Sequence, residues 1–477
     1  MIARPFDRYQ EFTDIDALTD IADKPLRKSI RVNTLKMSVE EFRVRARKKG
    51  WALEQIPWCE EGFFIDREDR SSALGKDLLH LTGCMYMQEA ASMLPAELLD
   101  PKQGEIILDM SAAPGSKTTQ MAARMQSTGH IIANDVQEKR LWTLKTALHR
   151  SGVTNTIVSK KPGQWFGKHM TECFDCVLCD APCTAQGTSR KDPHALMYSS
   201  QDNIDKMSHI QMQLLESAIH AAKIEGRIVY STCTLTPEEN EGVVRKMLEK
   251  FGEKIEVVDS MAKDVEDSGW SGRKAKEDSM SVQKSLQPIP CNLFPALRLW
   301  PQTFDTEGFF CAVLQKNAVT REKEDYAAVA FQESLLSRSK QEEIAKKIEE
   351  LYGISFMYEG EILFRREDQL LLTSQDCAGI QLSLRDYSIG LPYAKLLKDG
   401  RVRLSHEMAL LRGSEASKQT YMVTDDELAE LLKGKDIPCL EDLYGDLLLI
   451  HDGICFGRAL AKNGKCKNNL PRTMMYS

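Results

Sequence analysis

Two cysteines close hydrophobic, strand-like segments: Cys183 at the end of Asp180-Ala181-Pro182-Cys183, and Cys233 at the end of Ser231-Thr232-Cys233. A third such segment ends at Asp109-Met110 and runs into Ser111-Ala112-Ala113-Pro114-Gly115-Ser116-Lys117-Thr118. Small residues there let a ligand approach the backbone, and a helix start just after them offers free N–H groups. The next segment ends at Asp135, an acid placed to accept hydrogen bonds from ribose hydroxyls. Loop and acid read as a site for an adenosine-type cofactor; a tight turn beside a surface acid is the plainer reading, but it leaves the two thiols unexplained. Carbon 5 of cytosine is too poor a nucleophile to take a methyl group directly, so an enzyme must first add a thiolate at carbon 6. After transfer the carbon 5 proton leaves and the thiolate is expelled. One cysteine can form the adduct and a second assist its breakdown, while Asp180 hydrogen-bonds the ring nitrogen beside the amino group.

These residues need a scaffold that brings strand tips together. From about residue 76 to 315 strand-like runs alternate with helical ones, the pattern of a parallel sheet covered on both faces, whose ligands bind at the carboxyl ends of the strands. The strands are read at Glu105–Met110, His130–Asn134, Asn155–Ser159, Cys173–Cys179, Arg227–Ser231 and Gly308–Leu314. Helices are read at Ser116–Met125, Gln137–Ser151, Ile204–Lys223 and Pro237–Phe251, the last with a capping box from Thr236 to Glu239. Residues 258–290 are polar and small, a surface insertion. Upstream, Ile30–Thr34 and a basic helix from about Ser38 to Lys49 make a small α+β unit. Downstream, a charged stretch from Arg321 to Leu351 precedes short β-like runs at Ile362–Phe364, Arg401–Leu404 and Leu447–Gly453.

At 477 residues the chain exceeds one core, since domains average about 100–200 residues. An apolar fraction of 42% is that of packed globular domains. Thirteen cysteines without a secreted-type framework point to free thiols and a cytoplasmic setting. No apolar run approaches the roughly 20 residues of a membrane span, and no signal peptide is read at the start. A net charge of -7 argues against nucleic acid, but its distribution argues for it. Ten basic residues between Lys24 and Lys49 face only Glu40 and Glu41, and Phe456 to Arg472 holds five basic residues and no acid. Such patches are either ordinary solvated faces or the footprint of RNA.

The three segments at 109–118, 180–183 and 231–233, in this order, resemble the Nop/Sun family of RNA cytosine-5 methyltransferases, with further likeness at Arg31-Val32-Asn33-Thr34, Arg190-Lys191-Asp192-Pro193 and Gly308-Phe309-Phe310. The resemblance spans about residues 25–316. It implies a Rossmann-like class I methyltransferase core, S-adenosyl-L-methionine as cofactor and RNA as substrate. Cys233 would be the nucleophile, Cys183 the cysteine that helps release product, and Lys117 and Asp180 neighbours of the cofactor and target base. Cofactor contacts carried over are Ser111, Ala112, Ala113, Pro114, Gly115, Ser116, Lys117, Asp135, Arg140, Pro162 and Asp180. Ser405-His406, Gly445, Gly453, Gly457 and Lys467–Arg472 resemble the C-terminal region of the bacterial subgroup that modifies small-subunit (16S) ribosomal RNA, which ends in a PUA-like fold. The implied organisation is an N-terminal α+β RNA-binding domain (1–75), a methyltransferase domain (76–318), a charged linker with an accessory subdomain (319–395) and a β-rich PUA-like RNA-binding domain (396–477), acting as a monomer in the cytoplasm.

The chain departs from the family at Pro162, where an acid usually faces the adenine, at Thr184-Ala185-Gln186-Gly187, usually Ser-Gly-x-Gly, and at Ser111, often Cys. Cys173, Cys176, Cys179 and Cys183 have an iron–sulfur spacing, but alternation along a buried strand would send Cys176 and Cys179 to opposite faces, so no metal is expected. A DNA methyltransferase would use the Pro-Cys thiol as nucleophile and would not need Cys233. The same chemistry on tRNA, or a non-catalytic RNA-binding ribosome assembly factor on the same fold, are the remaining alternatives.

Overall fold

The structure, a computed structural model, describes residues 6–258 and 296–475, apart from 71, 199, 325, 328, 330, 332 and 379–386. The insertion read at 258–290 lies outside the described residues but for Val258.

The N-terminal part is a four-stranded antiparallel sheet in the order Trp51–Gln55, Gly62–Arg67, Ser29–Val32, Met85–Met87. A unit drawn at 1–75 leaves out its edge strand. Helix Val39–Lys48 starts at Ser38, whose hydroxyl accepts from Glu41 N–H at 3.1 Å. Acids fill its first turn and Arg45, Arg47 and Lys48 its last, matching the helix dipole. Phe42 and Ala46 are buried with Trp51 and Phe63.

The central sheet has nine strands: β1 (Ile106–Asp109), β2 (His130–Asn134), β3 (Thr156–Ser159), β4 (Phe174–Asp180), β5 (Ala222–Thr232), β6 (Ile255–Val257), β7 (Leu297–Leu299), β8 (Phe309–Lys316) and β9 (Ser388–Ile389). Their order is β6-β8-β5-β4-β1-β2-β3-β9, with β7 on β8. Strands β1 to β5 are parallel, as read, and their apolar runs are buried on both faces. Ile107, Cys176 and Leu178 pack on helices α1 (Ser116–Arg124) and α2 (Glu138–Ser151). Leu108, Val177 and Cys179 pack on α3 (Gln201–Ala221) and α4 (Glu241–Phe251).

Two expectations need correction. The sheet is mixed, because β8 runs antiparallel to β5, β6 and β7. The turn from β7 to β8 holds only the short helix Pro301–Phe304, too little for the crossover that parallel neighbours need. Helix α4 begins at Glu241, with no side-chain cap at Asn240. Thr236 and Glu239 do bond, side chain to side chain at 2.7 Å, but Glu239 is buried elsewhere and residues 237–240 form a turn, with Asn240 and Gly242 N–H donating to Pro237 O.

Downstream come two five-stranded sheets. The first (Ser334–Leu335, Glu361–Arg366, Gln369–Ser374, Leu391–Leu396, Val402–Leu404) packs against helix Arg338–Tyr352, and a line at residue 395 runs through it. The second (Thr420–Met422, Gly445–His451, Ile454–Lys462, Lys465–Asn468, Ile437–Pro438) carries helix Asp425–Leu432, which has a complete capping box from Thr424 to Glu427. Between strands of the first sheet the chain leaves it and adds β9 to the edge of β3, with Ser388 opposite Val158.

The segment just before the basic tail meets the basic helix, and most lysines and arginines of the two basic stretches are exposed, with Arg31 and Lys36 turned inward. Arg45 pairs with Asp452 at 2.7 Å, and Ile454 joins the N-terminal core. Arg31 is buried, and Lys36 Nζ donates to the carbonyls of Thr82 and Arg150 at 2.8 and 2.7 Å. Among the described residues no helix is long and apolar enough to cross a membrane.

Candidate active site

The carboxyl ends of β1, β2, β4 and β5 converge because parallel pairing puts them at one edge of the sheet, with Asp180 opposite Ser231. After β1, Ala112 N–H donates to Asn134 O at 2.7 Å and Gly115 N–H to Ala112 O at 2.8 Å, which folds residues 110–115 into a tight turn. Gly115 has φ of +109°, and a Cβ there would come 3.0 Å from the Cβ of Ala147, so glycine is required. The turn delivers the chain to α1, whose N-terminus has no side-chain cap. Its first N–H groups are therefore available to a ligand. Ser111, Ala112, Ala113 and Pro114 belong to this turn, Ser116 is the first residue of α1, and Arg140 Nη2 closes the turn by donating to Ala113 O.

Asp135 follows β2 and is 2% exposed. Its Oδ1 accepts from Gln137 N–H at 2.9 Å. Oδ2 is buried and among the described residues has no hydrogen-bond partner, with Arg140 Nη1 3.4 Å away as an ion pair. A buried acceptor left open is costly, and it suits the hydroxyl pair of a ribose. Pro162 opens the short turn after β3, and its carbonyl already accepts from Trp165 N–H at 2.9 Å.

Cys183 Sγ and Cys233 Sγ lie 3.3 Å apart. Beside them Lys117 Nζ donates to Asp180 Oδ2 at 2.8 Å, and Ser231 Oγ donates to Oδ1 at 2.8 Å. Burial alone would lower the Lys117 ammonium, but Asp180 outweighs it and holds the group above its ordinary range. Lys117 also stands over the ring of Phe309, 5.3 Å from its centre, and Phe309 packs in the apolar cluster that touches Cys233. The Cys183 thiol is pushed well above the usual thiol range, first by its hydrogen bond with Cys233, then by burial and the charges of Cys233 and Glu239. Asp109, buried beneath with its carboxyl bonded by Thr118 Oγ1 at 2.7 Å, is raised to about 7, chiefly by burial.

Cys233, Cys183, Asp180 and Lys117 are thus gathered in one place, with Asp135 and Arg140 at the far end of the 111–116 turn. Residues to which the sequence reading gave no role at the site hold them there. Asn134 Nδ2 donates to Met110 O and Lys161 O at 3.1 and 2.9 Å, and its Oδ1 accepts from Ser159 Oγ and Lys161 N–H, both at 2.9 Å, so one amide ties three strand tips. Its only signal is an amide ending an apolar run. Gly187 N–H donates to Cys233 O at 3.0 Å and its carbonyl accepts from Gly308 N–H at 2.8 Å. Arg190, from the quoted Arg-Lys-Asp-Pro stretch, is an anchor: its side chain is 1% exposed and bonds Pro25 O, Thr306 O and Asp305.

Cys176 and Cys179 point to opposite faces of the sheet, in separate core layers, and do not converge with Cys183. Away from the thiol pair, Cys59, Glu61 and Glu97 come close together, but Arg124 and Gln120 already donate to Glu97.

Residues 96–315 match the family described as 16S rRNA methyltransferase RsmB/F, and residues 6–90 match the N-terminal domain of 16S rRNA methyltransferase RsmF. The chain is 38% identical to ribosomal RNA small subunit methyltransferase F of Aeromonas salmonicida (strain A449), over 95% of this chain and 91% of the relative. Identity to the protein of the same name from Psychromonas ingrahamii is 33%, over 97% and 93%. Among solved structures, a methyltransferase homolog from Pyrococcus horikoshii superposes with a TM-score of 0.54 at 36% identity, over 65% of this chain and 93% of the other. NSun6 from Pyrococcus horikoshii, solved with SFG, shares the fold with a TM-score of 0.52 at 24% identity, over 64% and 94%.

Proposed function

Because the chain belongs to the RsmB/F family of 16S rRNA methyltransferases, we propose that its two facing thiols carry out S-adenosylmethionine-dependent methylation of carbon 5 of a cytosine in 16S rRNA. The observation that carries this reading is the 3.3 Å approach of Cys183 and Cys233 beside the Lys117–Asp180 pair. At that distance both sulfurs can reach one base, so one can form the adduct while the other assists its breakdown.

Bound S-adenosylmethionine supplies an electrophilic methyl group. The open Oδ2 of Asp135 and the uncapped start of α1 fit its ribose and charged end. The Cys233 sulfur adds to carbon 6, breaking the 5,6 double bond and making carbon 5 electron-rich. Asp180 faces the ring nitrogen and amino edge, held in place by Ser231 and Lys117. Cys183 keeps its proton while Cys233 attacks, which separates the roles of two chemically identical groups. Once carbon 5 carries the methyl group, its proton passes to water in the pocket, the C5–H electron pair re-forms the 5,6 double bond and Cys233 leaves carbon 6 as a thiolate, with the Cys183 S–H hydrogen-bonding the departing sulfur. The base must be turned out of its stack to reach these sulfurs. The enzyme acts in this reading as a monomer in the cytoplasm.

The test uses small subunits or 16S rRNA from a strain lacking the gene, labelled methyl donor and bisulfite sequencing. One new 5-methylcytosine or a small set in 16S rRNA is expected. Cys233→Ala should abolish it, and Cys183→Ala should accumulate a protein–RNA adduct that survives denaturing electrophoresis. Methylation of tRNA alone, or full activity of Cys233→Ala, would sink the proposal.

A further inference from the structure

Three segments meet behind the two sulfurs: Thr184 follows Cys183, Thr234 follows Cys233, and the turn through Thr236 leads to α4. Glu239 stands where they meet, with no solvent exposure. Its Oε2 accepts from Thr184 N–H at 3.0 Å and from Gln211 Nε2 at 2.8 Å. Its Oε1 accepts from Thr236 Oγ1 at 2.7 Å and from Thr184 Oγ1, and lies 3.4 Å from Thr234 Oγ1, whose proton goes to Gln186 Oε1. Gln211 Nε2 also donates to Pro182 O at 2.8 Å. Both neighbours of Cys183 are therefore tied to one carboxylate, directly or through Gln211, and the segment after Cys233 is tied to it through Thr236.

Burying an acid is costly unless its oxygens are fully bonded, and here every contact is a donor, the set that suits an anion. An amide in its place could accept from the hydroxyls with its oxygen, but its nitrogen would face the Thr184 N–H and Gln211 Nε2 donors.

We propose that Glu239 is a positioning residue for methyl transfer, clamping the loops after Cys183 and Cys233 so that the two sulfurs face each other across the target base. Its charge has a second effect. An anion buried behind Cys183 disfavours a thiolate there, so that Cys233 is the sulfur that attacks. This rests on the roles assigned to the two cysteines above, but it is tested on the thiols themselves, without RNA.

Two RNA-free measurements on the full chain separate the effects. In a Cys233→Ser background, the pH dependence of Cys183 alkylation by iodoacetamide, followed by peptide mass spectrometry, reports the charge effect. Glu239→Gln removes the charge at nearly constant shape, while setting its amide nitrogen against Thr184 N–H and Gln211 Nε2, and should move the midpoint down by about one unit. For the clamp, a diazene oxidant takes one hydrogen from each thiol and is reduced to the hydrazine as the Cys183–Cys233 disulfide forms, so the closure rate measures how well the sulfurs face each other. Glu239→Ala should slow closure about tenfold or more. Should that variant not fold, Thr184→Val, which deletes only one hydroxyl, should slow it several-fold with the melting temperature kept. An unmoved alkylation midpoint in Glu239→Gln, or parental closure in the clamp variants, overturns the proposal. If both readouts shift yet the parent methylates no RNA, the positioning role stands and the assigned reaction fails. If the parent methylates RNA and neither readout shifts, the positioning role alone fails.

Discussion

Replacing Arg298 by methionine should unfold the catalytic region far more easily than its place in a peripheral strand suggests. Arg298 and Glu241 form a bidentate pair, Nε to Oε1 and Nη2 to Oε2, both at 2.7 Å, with side chains 3% and 4% exposed. Nη1 donates to Leu235 O at 2.9 Å, in the turn that follows Cys233. The rings of Phe12, Trp300 and Phe310 lie 5.3–5.8 Å from the guanidinium. Arg298→Met keeps most of the side-chain bulk but strands Glu241 in the interior. Removing one partner of such a pair costs about 3–5 kcal/mol, and the lost bond to Leu235 adds about 1 kcal/mol. At roughly 2–4 °C per kcal/mol for a core of this size, the melting temperature should fall by about 10 °C or more. Arg298→Met/Glu241→Leu removes both charges and should recover most of the loss, since a well-packed apolar replacement of a buried pair is often neutral or stabilising. Circular dichroism melts and urea titrations of the parent, both single variants and the double variant close the cycle. A loss below about 1 kcal/mol in the single variant, or a double variant no better than the single, refutes the reasoning.

Asp135→Asn should weaken S-adenosylmethionine binding by about 10–100-fold, the value of one or two hydrogen bonds to a charged acceptor; calorimetry that finds parental affinity removes Asp135 from the cofactor site. Gly187→Ala places a Cβ 2.3 Å from Gly308 O and 2.6 Å from Cys233 O, so backbone beside the nucleophile must move. Its kcat should fall about 100-fold, and activity within twofold of the parent would contradict that geometry. Glu307 is raised from 4.5 to about 8, by burial and then by Glu89, with Lys191 and Arg190 lowering it only in part. Its folded form holds a proton that the unfolded chain releases, so its contribution to stability is complete below about pH 4.5 and is lost as pH rises through about 8. Glu307→Gln should therefore match the parent near pH 5 and exceed it by up to a few kcal/mol near pH 9; parallel melting curves across that range would rule this out.

The parallel half of the sheet and its chemistry were legible because they obey local rules. Buried strands are apolar runs, and each run ends where a polar residue with a task begins, so Asp135, Asp180, Cys183 and Cys233 announce themselves by position. The antiparallel half was less legible: Ser388–Ile389 is two residues long and carries no period. The start of α4 was misplaced because Thr236 and Glu239 have the spacing of a cap, and only the presence of Thr184 and Gln211 in space draws Glu239 inward. Asn134 and Gly187 were given no role for the same reason, since an amide or a glycine acquires its task from partners distant in sequence. The basic run from Lys24 to Lys49 looked like one surface because sequence does not distinguish an arginine facing water from Arg31, which bonds Gln88 and Thr119 inside the protein at 2.9 and 2.8 Å.

The short strand β9 gives the catalytic sheet its last edge. Tyr387 and Gly390 N–H donate to Val158 O and Thr156 O at 2.8 and 2.9 Å, and Thr373 and Ser374 hydroxyls reach Thr154 O and Gly129 O at 2.9 and 3.0 Å. As the ribosome makes this chain, every residue assigned to the chemistry emerges before this seal exists. Until residue 390 is out, Thr156–Ser159 shows a bare row of backbone donors and acceptors, open to other nascent chains. A fragment cut after the methyltransferase core keeps that opening permanently, so the downstream region completes the enzyme's own sheet whatever it also does with RNA.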